Sequence, residues 1–234
     1  HGLILKQLDI KVAFLNGDLE KPVFMSIPQG SKVDPNIRAT HVLRLLRSLY
    51  GLRVSPKRWY ERFRAEMSKL GFRPFILKPC IYKWKFVQAG VVKQVILAIY
   101  VDDILLVGDC PEKIQEVISK LRTQFEVTDL GTPKKFLGIE IQYDRTQGHL
   151  FLHQTSFTEK MLQSFGINEF NFPHPTPVIT LDAECKRKNI SDPQLFASTM
   201  KYRAALGSLI HLMNATRPDI AFAVNKVSRA QSSP

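Results

Sequence analysis

The stretch VILAIYVDDILLVGD, residues 95–109, constrains this chain more than any other. Two adjacent acids, Asp102 and Asp103, stand between apolar runs long enough for buried strands, without the Gly or Asn that a tight turn normally uses. Like charges beside an apolar sheet repel and lose hydration. That cost falls only if they protonate, meet basic partners or coordinate a cation. Carboxylate oxygens suit Mg²⁺, which keeps several waters and takes one or two protein acids together with substrate phosphates. A solvated hairpin tip is the plainer alternative, since Asp is common in turns. Asp9 has a similar setting: LKQLDIKVAFLNG puts an acid at the end of an apolar strand, before a turn at Asn16-Gly17. No local geometry links Asp9 to the pair.

The pattern around these acids is alternating α and β. Leu3–Ile10 and Val23–Ile27 read as strands, and Pro28-Gln29-Gly30 as a turn. After Ser55-Pro56, the spacing of Trp59, Phe63, Met67 and Leu70 predicts an amphipathic helix closed by Gly71. Residues 80–86 and 91–107 predict strands folded about Asp102-Asp103. A helix opening at Pro111 follows, with Ile114, Val117, Ile118, Leu121 and Phe125 on one face. Phe136–Tyr143 and His149–His153 read as a strand pair, and Ser156 with Glu159 as a capping box. Pro173, Pro175, Pro177 and Pro193 mark a linker before helical stretches at 198–213 and 218–230.

Composition bears on partners. The chain carries a net charge of +12, and between Arg38 and Arg64 eight basic side chains face a single acid, Glu61. Arg matches phosphate with a two-pronged fork, and Tyr50, Trp59, Tyr60 and Phe63 are interleaved, so a polyanion such as nucleic acid is the expected partner. A solvated basic helix face is the alternative. Cys80, Cys110 and Cys185 are far apart with no CxxC, so neither a disulfide nor a zinc site is expected. No apolar run approaches the ~18 residues that cross a bilayer, and no membrane partner is expected. His149 and His153 share a strand face without further ligands and are discounted as a metal site.

Five segments in order, QLDIKVAFLNGDLEKPVFMSIPQG, SLYGLRVSPKRWY, IYVDDILLVGD, FLGIEI and YRAALGSLIHLMNATRPDIAFAVNKVSR, resemble the reverse transcriptase of copia-type LTR retrotransposons. The resemblance spans nearly the whole chain. It implies an α+β fold: a right-hand polymerase palm over residues 1–170, an antiparallel sheet packed on helices, then a linker at 171–197 and a helical thumb or connection segment at 198–234. It implies that Asp9, Asp102 and Asp103 converge beneath a primer terminus and hold two Mg²⁺ ions, Mn²⁺ being a substitute, with the backbone carbonyl of Ile10 as a further ligand. Phe14 matches the aromatic residue that stacks under the incoming sugar and obstructs a ribose 2′-hydroxyl. Tyr50, Gly51 and Arg53 fall in the nucleotide-binding loop, and Ser55, Pro56, Lys57 and Arg58 lie along the template. Val54 departs from the family, which commonly has Gln there. Phe136, Leu137 and Gly138 match the hairpin that grips the primer, with Lys134 or Lys135 near the departing pyrophosphate.

The implied activity is RNA-directed DNA synthesis on an RNA template with a DNA primer and dNTPs, inside a cytoplasmic virus-like particle with possible nuclear entry. The implied partners are the remaining polyprotein parts, the fingers, ribonuclease H and integrase. Because the chain starts a few residues before Asp9, it is expected to hold the metal site yet synthesise weakly by itself. The alternative is an inactive or co-opted copy that only binds nucleic acid.

Overall fold

The computed structural model describes residues 2–167, 193–229 and 231. The chain is a mixed α+β protein with a mainly antiparallel sheet and six helices among the described residues. It divides into two compact units: residues 2–133 with 145–148, and residues 134–144 with the described part of 149–234. The linker expected at 171–197 falls almost entirely outside the described residues. No described helix is long and apolar enough to cross a membrane.

In the first unit, β1 (Ile4–Ile10) leads through a 3₁₀ turn (Ala13–Asn16) to β2 (Asp18–Ser26). Helix α1 (Pro35–Thr40) is capped by the Asp34 carboxylate, which accepts from the Asn36 N–H. Strand β3 (Val42–Arg47) pairs with β2 in a two-stranded sheet. Helix α2 (Ser55–Lys69) follows, then β4 (Arg73–Pro74), β5 (Ile81–Gln88), β6 (Val91–Tyr100), β7 (Asp103–Gly108), α3 (Pro111–Gln124) and β8 (Val127–Gly131). The six-stranded sheet runs β4-β5-β6-β7-β1-β8, so the N-terminal strand lies between β7 and β8. Neither β3 nor β8 is predicted by the sequence pattern; Arg44 and Arg47 interrupt one, and the other has only five residues.

The alternation of β1 and β7 decides which face is core. Leu8, Ile10, Ile104 and Leu106 are fully buried on one side, with Leu97 and Val95 of β6. Helix α2 lays Trp59, Phe63 and Met67 onto this side, and α3 adds Ile114, Val117, Ile118 and Leu121. Each such side chain contributes roughly 1.5–3 kcal/mol on burial, and the rings add directional packing: Trp59 meets Phe125 edge-on at 5.2 Å and Phe63 meets Tyr82 at 5.8 Å. The helix ends as its sequence predicts. Gly71 adopts φ +87° and the Phe72 N–H returns to the Met67 carbonyl at 3.0 Å.

The second unit holds β9 (Lys135–Phe136), β10 (Ile139–Asp144) and β11 (His149–His153) in the sheet order β11-β10-β9. The single strand expected over 136–143 is instead a tight hairpin. Leu137 and Gly138 both take left-handed φ, +49° and +83°, so Phe136 pairs with Ile139. Helix α4 (Thr155–Ser164) starts without the expected capping box. The Ser156 hydroxyl and N–H both donate to the Glu140 carboxylate of β10. Helices α5 (Pro193–Ala215) and α6 (Ala221–Ser228) pack together, and the buried Gln154 amide joins His211 and Thr216 at 2.9 Å each.

The seat of the 3₁₀ turn on α2 depends on Gly17. A Cβ there would lie 2.7 Å from Ser48 Oγ, 2.9 Å from Arg58 Cβ and 3.1 Å from the Trp59 backbone nitrogen. Gly17→Ala is expected to lower unfolding free energy by about 1–3 kcal/mol through overpacking, read as a reduced urea midpoint at unchanged slope.

Candidate active site

Asp9 is the penultimate residue of β1, and its Cα partner across the ladder is Asp103, the first residue of β7. Directly opposed residues of an antiparallel pair point to the same face. The neighbours of the two acids, Leu8, Ile10 and Ile104, are buried against the helices, so both carboxylates stand on the opposite, half-exposed face. Asp102 belongs to the two-residue turn Val101-Asp102 that joins β6 to β7, since Tyr100 pairs with Asp103. Its carbonyl accepts the Ile10 N–H at 2.9 Å, which ties the turn to the strand that carries Asp9. Long-range strand pairing brings Asp9 beside the adjacent acids Asp102 and Asp103, from which the sequence separates it.

Their mutual effect is visible at Asp9. Burial raises the Asp9 carboxyl above its ordinary value, and the charges of Asp102 and Asp103 raise it further. Lys11 offsets part of this, but its ammonium is engaged by Glu126 rather than seated among the acids.

Phe14, on the 3₁₀ turn just after β1, stacks at a tilt on Tyr50 with ring centroids 4.5 Å apart. The Tyr50 phenol is raised by burial and by the charges of Asp102 and Asp9, and a hydrogen bond from the Phe14 backbone N–H to the phenol oxygen opposes this. Phe14 and Tyr50 therefore border the acids. Buried Ser48, which sequence reading passes over, fixes this arrangement: its hydroxyl donates to the Phe14 carbonyl and its N–H to the Gly17 carbonyl at 3.0 Å.

Gly51 takes φ +94°, a conformation that L side chains rarely adopt, and the exposed Arg53 follows it. Ser55 is fully buried and its hydroxyl donates to the Leu49 carbonyl at 2.5 Å, so it secures the loop to the start of α2. Pro56 and Lys57 are exposed on the first turn, whereas Arg58 is held by Glu20 and, at 2.9 Å, by Glu61. Phe136, Leu137 and Gly138 lie in the other unit, at the β9-β10 turn, with Leu137 and Gly138 exposed.

The basic run is less free than its composition suggests. Arg47 pairs with Asp18 at 2.5 Å, Arg62 with Glu66 at 3.1 Å, and Arg38 donates to the Ser31 carbonyl at 2.8 Å. Among the described residues, Arg44, Arg53 and Arg64 have no acid within salt-bridge reach. Two of the interleaved aromatics do not face a polyanion at all, because Trp59 and Phe63 are core residues. Their helical spacing belongs to the apolar face of α2.

The oxygen-only donor set fits a hard divalent cation, for Asp9 already registers the repulsion of two neighbouring carboxylates that such an ion would relieve. Among the described residues, no three His, Cys, Asp or Glu side chains form a ready-made cage. An ion that takes one or two protein acids and completes its shell with water and phosphate needs none. A separate concavity of about 990 Å³, lined by Phe75, Ile76, Leu77 and Trp84 among others, contains none of these acids.

Comparison with known proteins decides the family. A family model described as reverse transcriptase (RNA-dependent DNA polymerase) matches residues 1–180. The chain belongs to the reverse transcriptase family. It is 34% identical over 235 residues to a retrovirus-related Pol polyprotein from transposon TNT 1-94 of Nicotiana tabacum, covering 99% of this chain and 17% of that protein. It is 32% identical over 231 residues to one from transposon RE1 of Arabidopsis thaliana, covering 98% and 15% respectively. A putative transposon Ty5-1 protein of Saccharomyces cerevisiae is 28% identical over 230 residues, 97% of this chain and 70% of that one. The resemblance carried by the five sequence motifs is thus borne out, and the chain spans under a fifth of the plant polyproteins.

The raised Asp9 carboxyl has a consequence for stability. The folded chain holds that proton more tightly than the unfolded chain, so the stabilisation from the neutral form is complete at low pH and lost as pH rises through the folded value. Asp9→Asn is therefore expected to melt at a higher temperature than the parent at pH 7, with the difference closing as pH falls through the carboxylate range. Thermal melts across that range check it.

Proposed function

We propose that this chain is the palm and thumb-proximal part of an RNA-directed DNA polymerase, and that Asp9, Asp102 and Asp103 are its catalytic carboxylates. In this reading residues 1–170 form the palm and residues 198–234 begin the thumb or connection. The observation that supports it most is the direct pairing of Asp9 with Asp103, together with the hydrogen bond that joins Asp102 to Ile10.

Asp9, Asp102 and the Ile10 carbonyl would hold Mg²⁺ or Mn²⁺, with Asp103 more peripheral. When bound, such ions lower the pKa of a primer 3′-hydroxyl and neutralise charge on the triphosphate and its pyrophosphate leaving group. The protein's own part is positioning. The Phe14 ring, braced by Tyr50, forms the floor on which the sugar of a dNTP rests, and its bulk excludes a 2′-hydroxyl. Gly51 lets the backbone approach the new base pair, and Arg53 reaches a phosphate. At the start of α2 the exposed Pro56 and Lys57, with Arg58 beside them, face the template backbone on a turn that buried Ser55 anchors, and the Phe136-Leu137-Gly138 turn holds the primer.

The test is primer extension on poly(rA) with dTTP and Mg²⁺. The chain alone is expected to synthesise weakly, and a form extended upstream of His1 with a family fingers region to synthesise readily. Asp103→Asn in the extended form is expected to reduce incorporation by roughly 10³-fold while RNA/DNA binding survives. Equal incorporation by the extended form with and without Asp103→Asn would overturn the assignment of these carboxylates, and no incorporation by either, with RNA/DNA binding intact, would leave nucleic-acid binding as the role. For Phe14, replacement by Ala is expected to lower discrimination against ribonucleotides roughly 10- to 100-fold, measured as the ratio of kcat/KM for dTTP and UTP.

A further inference from the structure

The turn that carries Asp102 breaks a local rule. Two-residue hairpin turns place a residue at positive φ, and Gly or Asn ordinarily fills that place. Here it is Val101, at φ +58°, a left-handed conformation that is costly for a β-branched side chain. A short hairpin tip on a half-exposed face would relax toward easier turns unless something else held it.

The restraint comes from α2. The Trp59 indole Nε1–H donates to the Val101 carbonyl at 2.7 Å. Trp59 is 3% exposed and clamped by Phe125 at 5.2 Å and Phe63 at 5.5 Å, so the donor cannot swing away. The bond acts on the peptide group immediately before Asp102, while the Asp102 carbonyl on its other side accepts from Ile10. Both peptide groups flanking the Asp102 side chain are thereby fixed, one by the helix and one by the strand that bears Asp9.

We propose that Trp59 is a positioning residue for the acid turn: its indole N–H holds Val101 in the left-handed conformation and so aims Asp102 at the shared face. This rests on the proposed role of the three acids. It assigns to Trp59 a function that packing alone would not need, since Phe would fill nearly the same core space without the donor. Helix α2 then couples the template-facing end of the chain to the acids by one hydrogen bond.

The test separates geometry from metal binding. In the unsubstituted chain the Trp59 indole proton, followed by NMR, is expected to be protected from solvent exchange and broadened by Mn²⁺. Trp59→Phe is expected to speed hydrogen exchange at the Val101, Asp102 and Asp103 amides roughly fivefold, the worth of one such bond. Interior amides of α3 should be unchanged. Adding Val101→Gly, which adopts positive φ freely, is expected to remove most of that increase. A rapidly exchanging indole proton in the unsubstituted chain overturns the proposal even if Trp59→Phe fails to fold. So does an equal increase in the Val and Gly backgrounds. A protected indole proton and the Gly rescue, without any Mn²⁺ broadening, would support the positioning role and sink the metal-site reading instead.

Discussion

The register of β1 against β7 is the constraint from which the rest of the site follows. Side chains alternate with a period of two, so a slip of one residue would carry Asp9 to the core face and expose Leu8 and Ile10. Burial of those two residues against Trp59, Phe63 and the α3 stripe makes the slip expensive, at roughly 1.5–3 kcal/mol for each apolar side chain turned out. The acids are thus held opposite one another by the hydrophobic face on the other side of the sheet. No attraction of their own does it: burial raises the Asp9 carboxyl, and the charges of Asp102 and Asp103 raise it further.

That opposition is local and tolerable because only the acid face is charged and half-open. The turn at Val101 absorbs a second cost, a left-handed β-branched residue, and Trp59 offsets it with a buried donor. Sites that combine like charges with backbone strain persist only when the surrounding packing over-determines them. Here the aromatic cluster of α2, Phe125 and Tyr82 supplies that packing.

Surface charge follows a different logic. The basic run from Arg38 to Arg64 spans α1, β3 and α2, and two of its guanidinium groups, Arg47 and Arg58, pair with acids of β2, Asp18 and Glu20. Counting charges along the chain overstates the free positive surface, because strand pairing of β2 with β3 brings those acids alongside. Arg44, Arg53 and Arg64 stay exposed and without an acid partner among the described residues.

The sequence by itself determined most of the longer strands and helices, though not β3 or β8, and where α2 and α3 begin and end. It also determined the unusual chemistry of paired acids between apolar runs, since all of these are written in neighbouring residues through period, Pro and Gly. The five motifs, read as a resemblance, also named the family that the comparisons establish. Only the tertiary structure decided that Asp9 meets Asp103, that Ser48 and Trp59 brace the site, that β8 completes the sheet beside β1, and that Ser156 prefers Glu140 to its own helix. Each of these joins residues distant along the chain, or selects among donors and acceptors that local propensity leaves equivalent. Such choices are made by packing and strand order, which no short window of sequence contains.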